Sequence, residues 1–207
     1  MMKNQGITDV IATPHFYADS DELEDYRKRV TEAYRTLCGL IENTDLPRIY
    51  LGSEVLYYRY IGKSDSVYNF CLNGSNYLLL ELSDNSIGGE LFEDINDLRG
   101  NLGIVPIVAH LERYYKFPNY KNLLKYIAEN GILAQVNASS LFVPGYSKIA
   151  EKLIKNQLVS FIGTDAHSQD QRPPMMKQAL RVISEKIGSE YASGFIRNSQ
   201  TLLEQIG

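Results

Sequence analysis

The chain has 207 residues, 44% of them hydrophobic and 22% charged, with a net charge of −4 and a pI near 5.4. This is an ordinary globular composition with apolar material for one sizeable core, and its acidic balance argues against a nucleic-acid surface. No apolar run reaches the ~18 residues of a membrane span, and Met1 to Gly6 lacks the apolar segment of a signal peptide.

In chain order, Met2 to Gly6 resembles the last turn of a helix, with Lys3 near its end and Gly6 as cap. Ile7 to Ala12 is short, apolar and β-branched, as a buried parallel strand requires. Leu23, Tyr26, Val30, Tyr34, Leu37 and Ile41 recur at helical spacing and predict an amphipathic helix over 21–41. Strands are expected over 48–55, 77–82, 104–109, 132–136 and 159–162, with helices over 89–102, 119–129 and 148–155. Three helical stretches follow, starting near Pro174, Ser189 and Asn198. The lone cysteines, Cys38 and Cys71, fall in helical and apolar surroundings and are expected as small buried side chains in a reducing, cytoplasmic compartment. With no linker, repeat or charge block, one domain over 1–207 is expected. Strands separated by helices predict a parallel sheet, either open and doubly wound or closed as a barrel.

The three histidines all follow apolar strands: His15 after Val10 to Pro14, His110 after Ile104 to Ala109, and His167 after Phe161 to Ala166. Glu54, Glu81 and Asp165 occupy equivalent places. Strand C-termini of an α/β barrel open on one mouth, so these six side chains converge if the sheet closes or nearly closes, which favours the barrel. Glu81 is hard to explain otherwise, because an unpaired carboxylate inside an apolar strand is costly. Mixed imidazole and carboxylate groups suit Mn²⁺, Fe²⁺ or Zn²⁺. Without a nucleophilic Cys or Ser motif they point to metal-assisted hydrolysis. Arg113 and Arg172 lie close behind His110 and His167; each is either a phosphate-binding fork or a surface arginine.

Ala12-Thr13-Pro14-His15, Gly52-Ser53-Glu54, Leu80-Glu81, Ala109-His110-Leu111-Glu112-Arg113, Thr164-Asp165-Ala166-His167 and Arg172-Pro173-Pro174 occur in one order. This set resembles the PHP (polymerase and histidinol phosphatase) class, and within it the bacterial tyrosine-protein phosphatases of capsule and exopolysaccharide operons. The resemblance implies a distorted (β/α)7 TIM-like barrel and a centre of up to three ions, usually Mn²⁺, with Fe or Zn as alternatives. It implies His15, Glu54, Glu81, His110, Asp165 and His167 as ligands, and Arg113 and Arg172 as holders of the substrate phosphate. The implied substrate is a phosphotyrosine protein, a bacterial tyrosine kinase that controls polysaccharide export.

The family also opens on a strand with His-x-His followed by an aspartate, and nothing here matches it. The expectation is a barrel incomplete at its first strand, with reduced metal occupancy and weakened activity. Two other readings stand beside this one. A catalytically silent PHP protein would keep a docking or regulatory role, and a different metal-dependent hydrolase would act on another phosphoester or be an amidohydrolase, though for the latter no lysine is placed at a strand end.

Overall fold

A computed structural model describes residues 1–207. Each short apolar run becomes a parallel strand, and the helical spacings become the crossovers that parallel neighbours need. Strands β1 (Asp9–Ala12) and β3 (Arg48–Leu51) pair with each other in a two-stranded ribbon. Strands β2 (His15–Phe16), β4 (Glu54–Leu56), β5 (Tyr77–Glu81), β6 (Val105–Val108), β7 (Leu133–Asn137) and β8 (Phe161–Gly163) form a six-stranded parallel sheet in that order. The whole is a mixed α/β fold built on a curled half-barrel. The helices are α1 (Leu23–Ile41), α2 (Gly89–Asn101), α3 (Tyr120–Asn130), α4 (Tyr146–Lys155), α5 (Met176–Lys186) and α6 (Ser189–Ile206).

Three elements differ from the sequence expectation. The strand expected over 48–55 divides into β3 and β4 at Gly52, where the backbone runs so close to Leu72 that a Cβ would lie 2.5 Å from its Cδ2. The helices expected from Ser189 and Asn198 are one, α6, because nothing between them stops a helix; Gly194 lies in open surroundings and lowers helix propensity by only ~1 kcal/mol. The stripe of α1 is only half-buried: Tyr26 is its buried residue, and Leu37 is exposed.

The strand period of two places the site. Outward residues Leu78, Leu80, Val108, Ala134, Val136 and Ile162 lie in the main core beneath the helices. Inward residues divide by height. The lower rungs, Leu79, Ile107, Leu133 and Phe161, meet Leu202 and Ile206 at the end of α6, which plugs that end of the sheet. Asn73 holds this plug, its side-chain N–H donating to the carbonyl of Ile206 at 2.5 Å. Above this apolar floor the inward positions turn polar: Glu81 on β5 and Gln135 and Asn137 on β7. At the chain start, a short 3₁₀ turn (Met2–Gln5) ends on Gly6 in the left-handed region at φ 77°. Gln5 ties it to α5, accepting from the Lys177 N–H at 3.1 Å.

Candidate metal centre

Glu54 opens β4 beside Leu79, Glu81 closes β5, and His110 follows β6; although their backbones sit at different heights, their side chains converge. His110 Nε2 lies 2.9 Å from Glu54 Oε1 and 3.3 Å from Glu81 Oε1. His15, at the start of β2, brings Nδ1 to 3.5 Å from Glu81 Oε2. Ligand atoms of His15, Glu54 and Glu81 all lie within 4.8 Å of one another. The His15 Nδ1 atom is buried and has no hydrogen-bond partner. A buried nitrogen left unpaired between two carboxylates fits a cation, and the mixed N/O donor set suits a divalent one.

Burial opposes charge on His110, but hydrogen bonds to Glu54 and Glu81 outweigh it and push its pKa up to about 9. Burial likewise acts to raise Glu81, yet the hydrogen bond and charge of His110 hold it below the ordinary carboxylate range. The cluster therefore balances two carboxylates against one imidazolium.

Neighbouring side chains fix this geometry. The Tyr114 hydroxyl accepts from the Leu82 N–H at 3.0 Å and meets His110 Nδ1 at 3.1 Å. As an imidazolium His110 donates Nδ1–H to Tyr114 and Nε2–H to the carboxylates; on losing the Nε2 proton it would turn that lone pair toward a cation held between them. Tyr26 of α1 reaches across to the segments before two of these residues, at 3.0 Å from the Pro14 carbonyl and 2.7 Å from Ser53 Oγ. Tyr17 stacks on His15 with ring centroids 5.4 Å apart.

Asp165 and His167, beyond β8, form the other side of the mouth, where the His167 ring centroid lies 6.2 Å from that of His15. Asp165 Oδ2 accepts from Arg113 at 2.5 Å, from Arg172, and from Asn137 Nδ2 at 2.7 Å. His167 Nδ1 is 3.0 Å from the Asp165 carbonyl. Both guanidinium groups remain partly exposed. The structure thus gathers His15, Glu54, Glu81 and His110 tightly. It places Asp165, His167, Arg113 and Arg172 as a second group beside them, on the same mouth.

Sequence reasoning misses Tyr114, Gln135 and Asn137, and includes Glu112 in a motif without giving it a task. Glu112 is wholly buried, and burial raises its carboxyl; its Oε1 accepts from Ser140 Oγ at 2.5 Å and from the Asn137 N–H at 3.2 Å. A signal for the two amides exists in the sequence: Gln135 and Asn137 alternate with apolar residues in a strand flanked by site-bearing strands.

The fold is a mixed α/β half-barrel with a His/Glu cluster and paired arginines at the C-terminal mouth of its strands, the place where α/β barrels carry their sites. The family described as "Capsular polysaccharide synthesis, CpsB/CapC" matches residues 1–204, and the chain belongs to it. Among relatives, the tyrosine-protein phosphatase CpsB of Streptococcus agalactiae serotype III is 32% identical over 145 residues, covering 64% of this chain and 58% of that protein. The chain thus matches less than two thirds of the length of that streptococcal relative. The putative tyrosine-protein phosphatase CapC of Staphylococcus aureus is 29% identical, over 97% of this chain and 80% of its own length. The tyrosine-protein phosphatase YwqE of Bacillus subtilis is 27% identical, over 96% of this chain and 79% of its own length. A solved structure from a study of Bacillus subtilis YwqE and Streptococcus pneumoniae CpsB, described as unique metal-dependent tyrosine phosphatases, superposes with a TM-score of 0.84 at 25% identity. It covers 100% of this chain and 84% of that one.

Proposed function

We propose that this chain is a metal-dependent phosphoesterase that hydrolyses phosphotyrosine on a protein, a bacterial tyrosine kinase controlling capsule or exopolysaccharide synthesis. The observation that carries the proposal is the juxtaposition of a His/Glu cluster within 4.8 Å and two arginines sharing one Asp165 oxygen. The relatives named as tyrosine-protein phosphatases support the substrate class. Mn²⁺ is the proposed ion, with Fe or Zn as alternatives, and the cytoplasm the proposed compartment; no helix is long and apolar enough to cross a membrane. Residues 1–207 are proposed as one domain, an open version of a (β/α)7 barrel. The proximity of His15 and His167 supports this, since it brings the two ends of the curled sheet together.

His15, Glu54, Glu81 and His110 are the proposed ligands of one part of the centre, and Asp165 and His167 of another. A divalent ion held there supplies Lewis-acid chemistry, lowering the pKa of water and neutralising phosphate oxygens. Tyr114 orients His110 so that Nε2 faces inward, and the apolar floor keeps bulk water from beneath the ligands. Arg113 and Arg172 present N–H groups to a dianionic phosphate, whose charge-assisted hydrogen bonds exceed neutral ones in strength. Tyr17, stacked on His15 at the rim, gives the phenyl ring of a phosphotyrosine an aromatic neighbour.

The deciding experiment measures phosphate release from a phosphotyrosine peptide against cleavage of a non-phosphate ester, with Mn²⁺ or with chelator. Phosphate release that needs Mn²⁺ is expected. Ester cleavage with no action on the phosphopeptide would overturn the proposal.

A further inference from the structure

The two groups at the mouth are joined by a line of buried amides on β7. The His110 backbone N–H donates to Gln135 Oε1 at 2.6 Å; Gln135 Nε2 donates to Asn137 Oδ1 at 2.8 Å; Asn137 Nδ2 donates to Asp165 Oδ2 at 2.7 Å. Donors and acceptors run head to tail, so turning either amide over breaks its bonds on both sides. Both carboxamides are buried, where unsatisfied polar groups are costly and aligned hydrogen bonds reinforce one another.

The ends of this line share a second property. His110 has φ 31° and Asp165 has φ 47°, and no other proposed ligand or phosphate-binding residue has positive φ. Such backbones cost roughly 1–3 kcal/mol each and persist only where the surroundings over-determine them. At His110 the bond to Gln135 falls on the strained residue's own N–H. At Asp165 it falls on the carboxylate that also receives both arginines. Behind the line, Glu112 accepts from the Asn137 N–H at 3.2 Å, which fixes the height of β7 against the segment after His110.

We propose that Gln135 and Asn137 are positioning residues that hold His110 and Asp165 in their left-handed backbones and so set the distance between the metal-binding and phosphate-binding groups. The inference rests on the function proposed above for those two groups. Neither amide touches substrate; each acts through the residue it holds.

The test uses the whole chain and has a readout that needs no activity. Asn137→Asp keeps the side-chain size and replaces the donor facing Asp165 with an acceptor; Gln135→Met keeps the length and removes both bonds. In the metal-free protein, hydrogen exchange followed by ¹⁵N NMR is expected to quicken at residues 163–167 in Asn137→Asp and at His110 in Gln135→Met, with β5 and β6 unchanged. In both variants Mn²⁺ binding, read from the EPR signal of the free ion, is expected to weaken about 10–100-fold, as when partners of a metal ligand are removed. Asn137→Ala serves where the added carboxylate prevents folding. Unchanged exchange at both places would overturn the inference. So would an equal rise across every strand, which marks general loosening, or a local rise with unchanged Mn²⁺ affinity. A parent chain that binds no Mn²⁺ would refute the proposed metal centre instead, and the exchange result would then decide the positioning role alone.

Discussion

Beside Glu54 and Glu81 the nearest cationic partner is the imidazole of His110, whereas Asp165 accepts from the guanidinium groups of both Arg113 and Arg172. One side of the mouth thus bunches carboxylates around a group that can lose its charge, and the other commits permanent cations to a single carboxylate. A divalent ion gains most on the first side, where it displaces only a proton. An anion gains most on the second, where the guanidinium forks already point at an oxygen. On the proposed function, one strand-end pattern of His, Asp and Glu would serve two electrostatic tasks, divided by where the arginines fall.

The largest expected effect tests the first side. Glu54→Gln removes a charge without changing shape, and Mn²⁺ affinity is expected to fall more than about 100-fold, beyond the range for residues that only support a ligand. Calorimetric titration with Mn²⁺ measures it, and wild-type affinity would erase the distinction between the sides. Arg113→Ala probes the second side. Turnover of a phosphotyrosine peptide is expected to drop about 100-fold, as on loss of one preorganised donor, with metal content by elemental analysis unchanged. Lost metal at an unchanged rate per ion would place Arg113 in the framework and not against phosphate.

Acid–base behaviour sharpens the comparison further. The pKa of His110 is raised in the folded metal-free chain to about 9. Its stabilisation is therefore fully present below its ordinary unfolded value of ~6.5 and is lost as pH rises through the folded value. The metal-free protein is expected to lose stability between pH 7 and pH 10, on the order of 3 kcal/mol from this group. Denaturant titrations at the two pH values measure the loss. It should shrink in Glu54→Gln, and an equal loss in that variant would detach the effect from this cluster. The smallest effect is expected from Tyr114→Phe. About 10-fold in Mn²⁺ affinity should go with the hydroxyl that orients His110, and the orphaned Leu82 N–H should cost ~1–3 kcal/mol in melting experiments.

How much of this was legible in the sequence depends on the kind of signal. Ionisable groups at strand ends stand out against apolar runs, so His15, Glu54, Glu81, His110, Asp165 and His167 could be named before any fold was known. Gln135 and Asn137 could not be assigned a task, because an uncharged amide in a strand says nothing about its partners. Those partners lie just after β6 and beyond β8, and only sheet register brings them within reach. The division of residues 48–55 was hidden for a related reason: Gly52 marks a close approach to Leu72, a neighbour 20 residues away in the chain. The half-buried state of α1 was equally invisible, since periodicity says which face is apolar but not what covers it.

Gly163 of β8 carries a consequence for how this sequence can drift. A Cβ at that position would overlap the Gln135 carboxamide, which is itself held at both ends. Alanine at 163 is therefore harmful while glutamine remains at 135, and becomes tolerable once a shorter side chain stands there. Either order passes through a damaged intermediate: alanine at 163 first displaces the amide, and loss of Gln135 first frees the His110 backbone. While Gln135 stands, any side chain at 163 must push its carboxamide out of the bonds to His110 and Asn137.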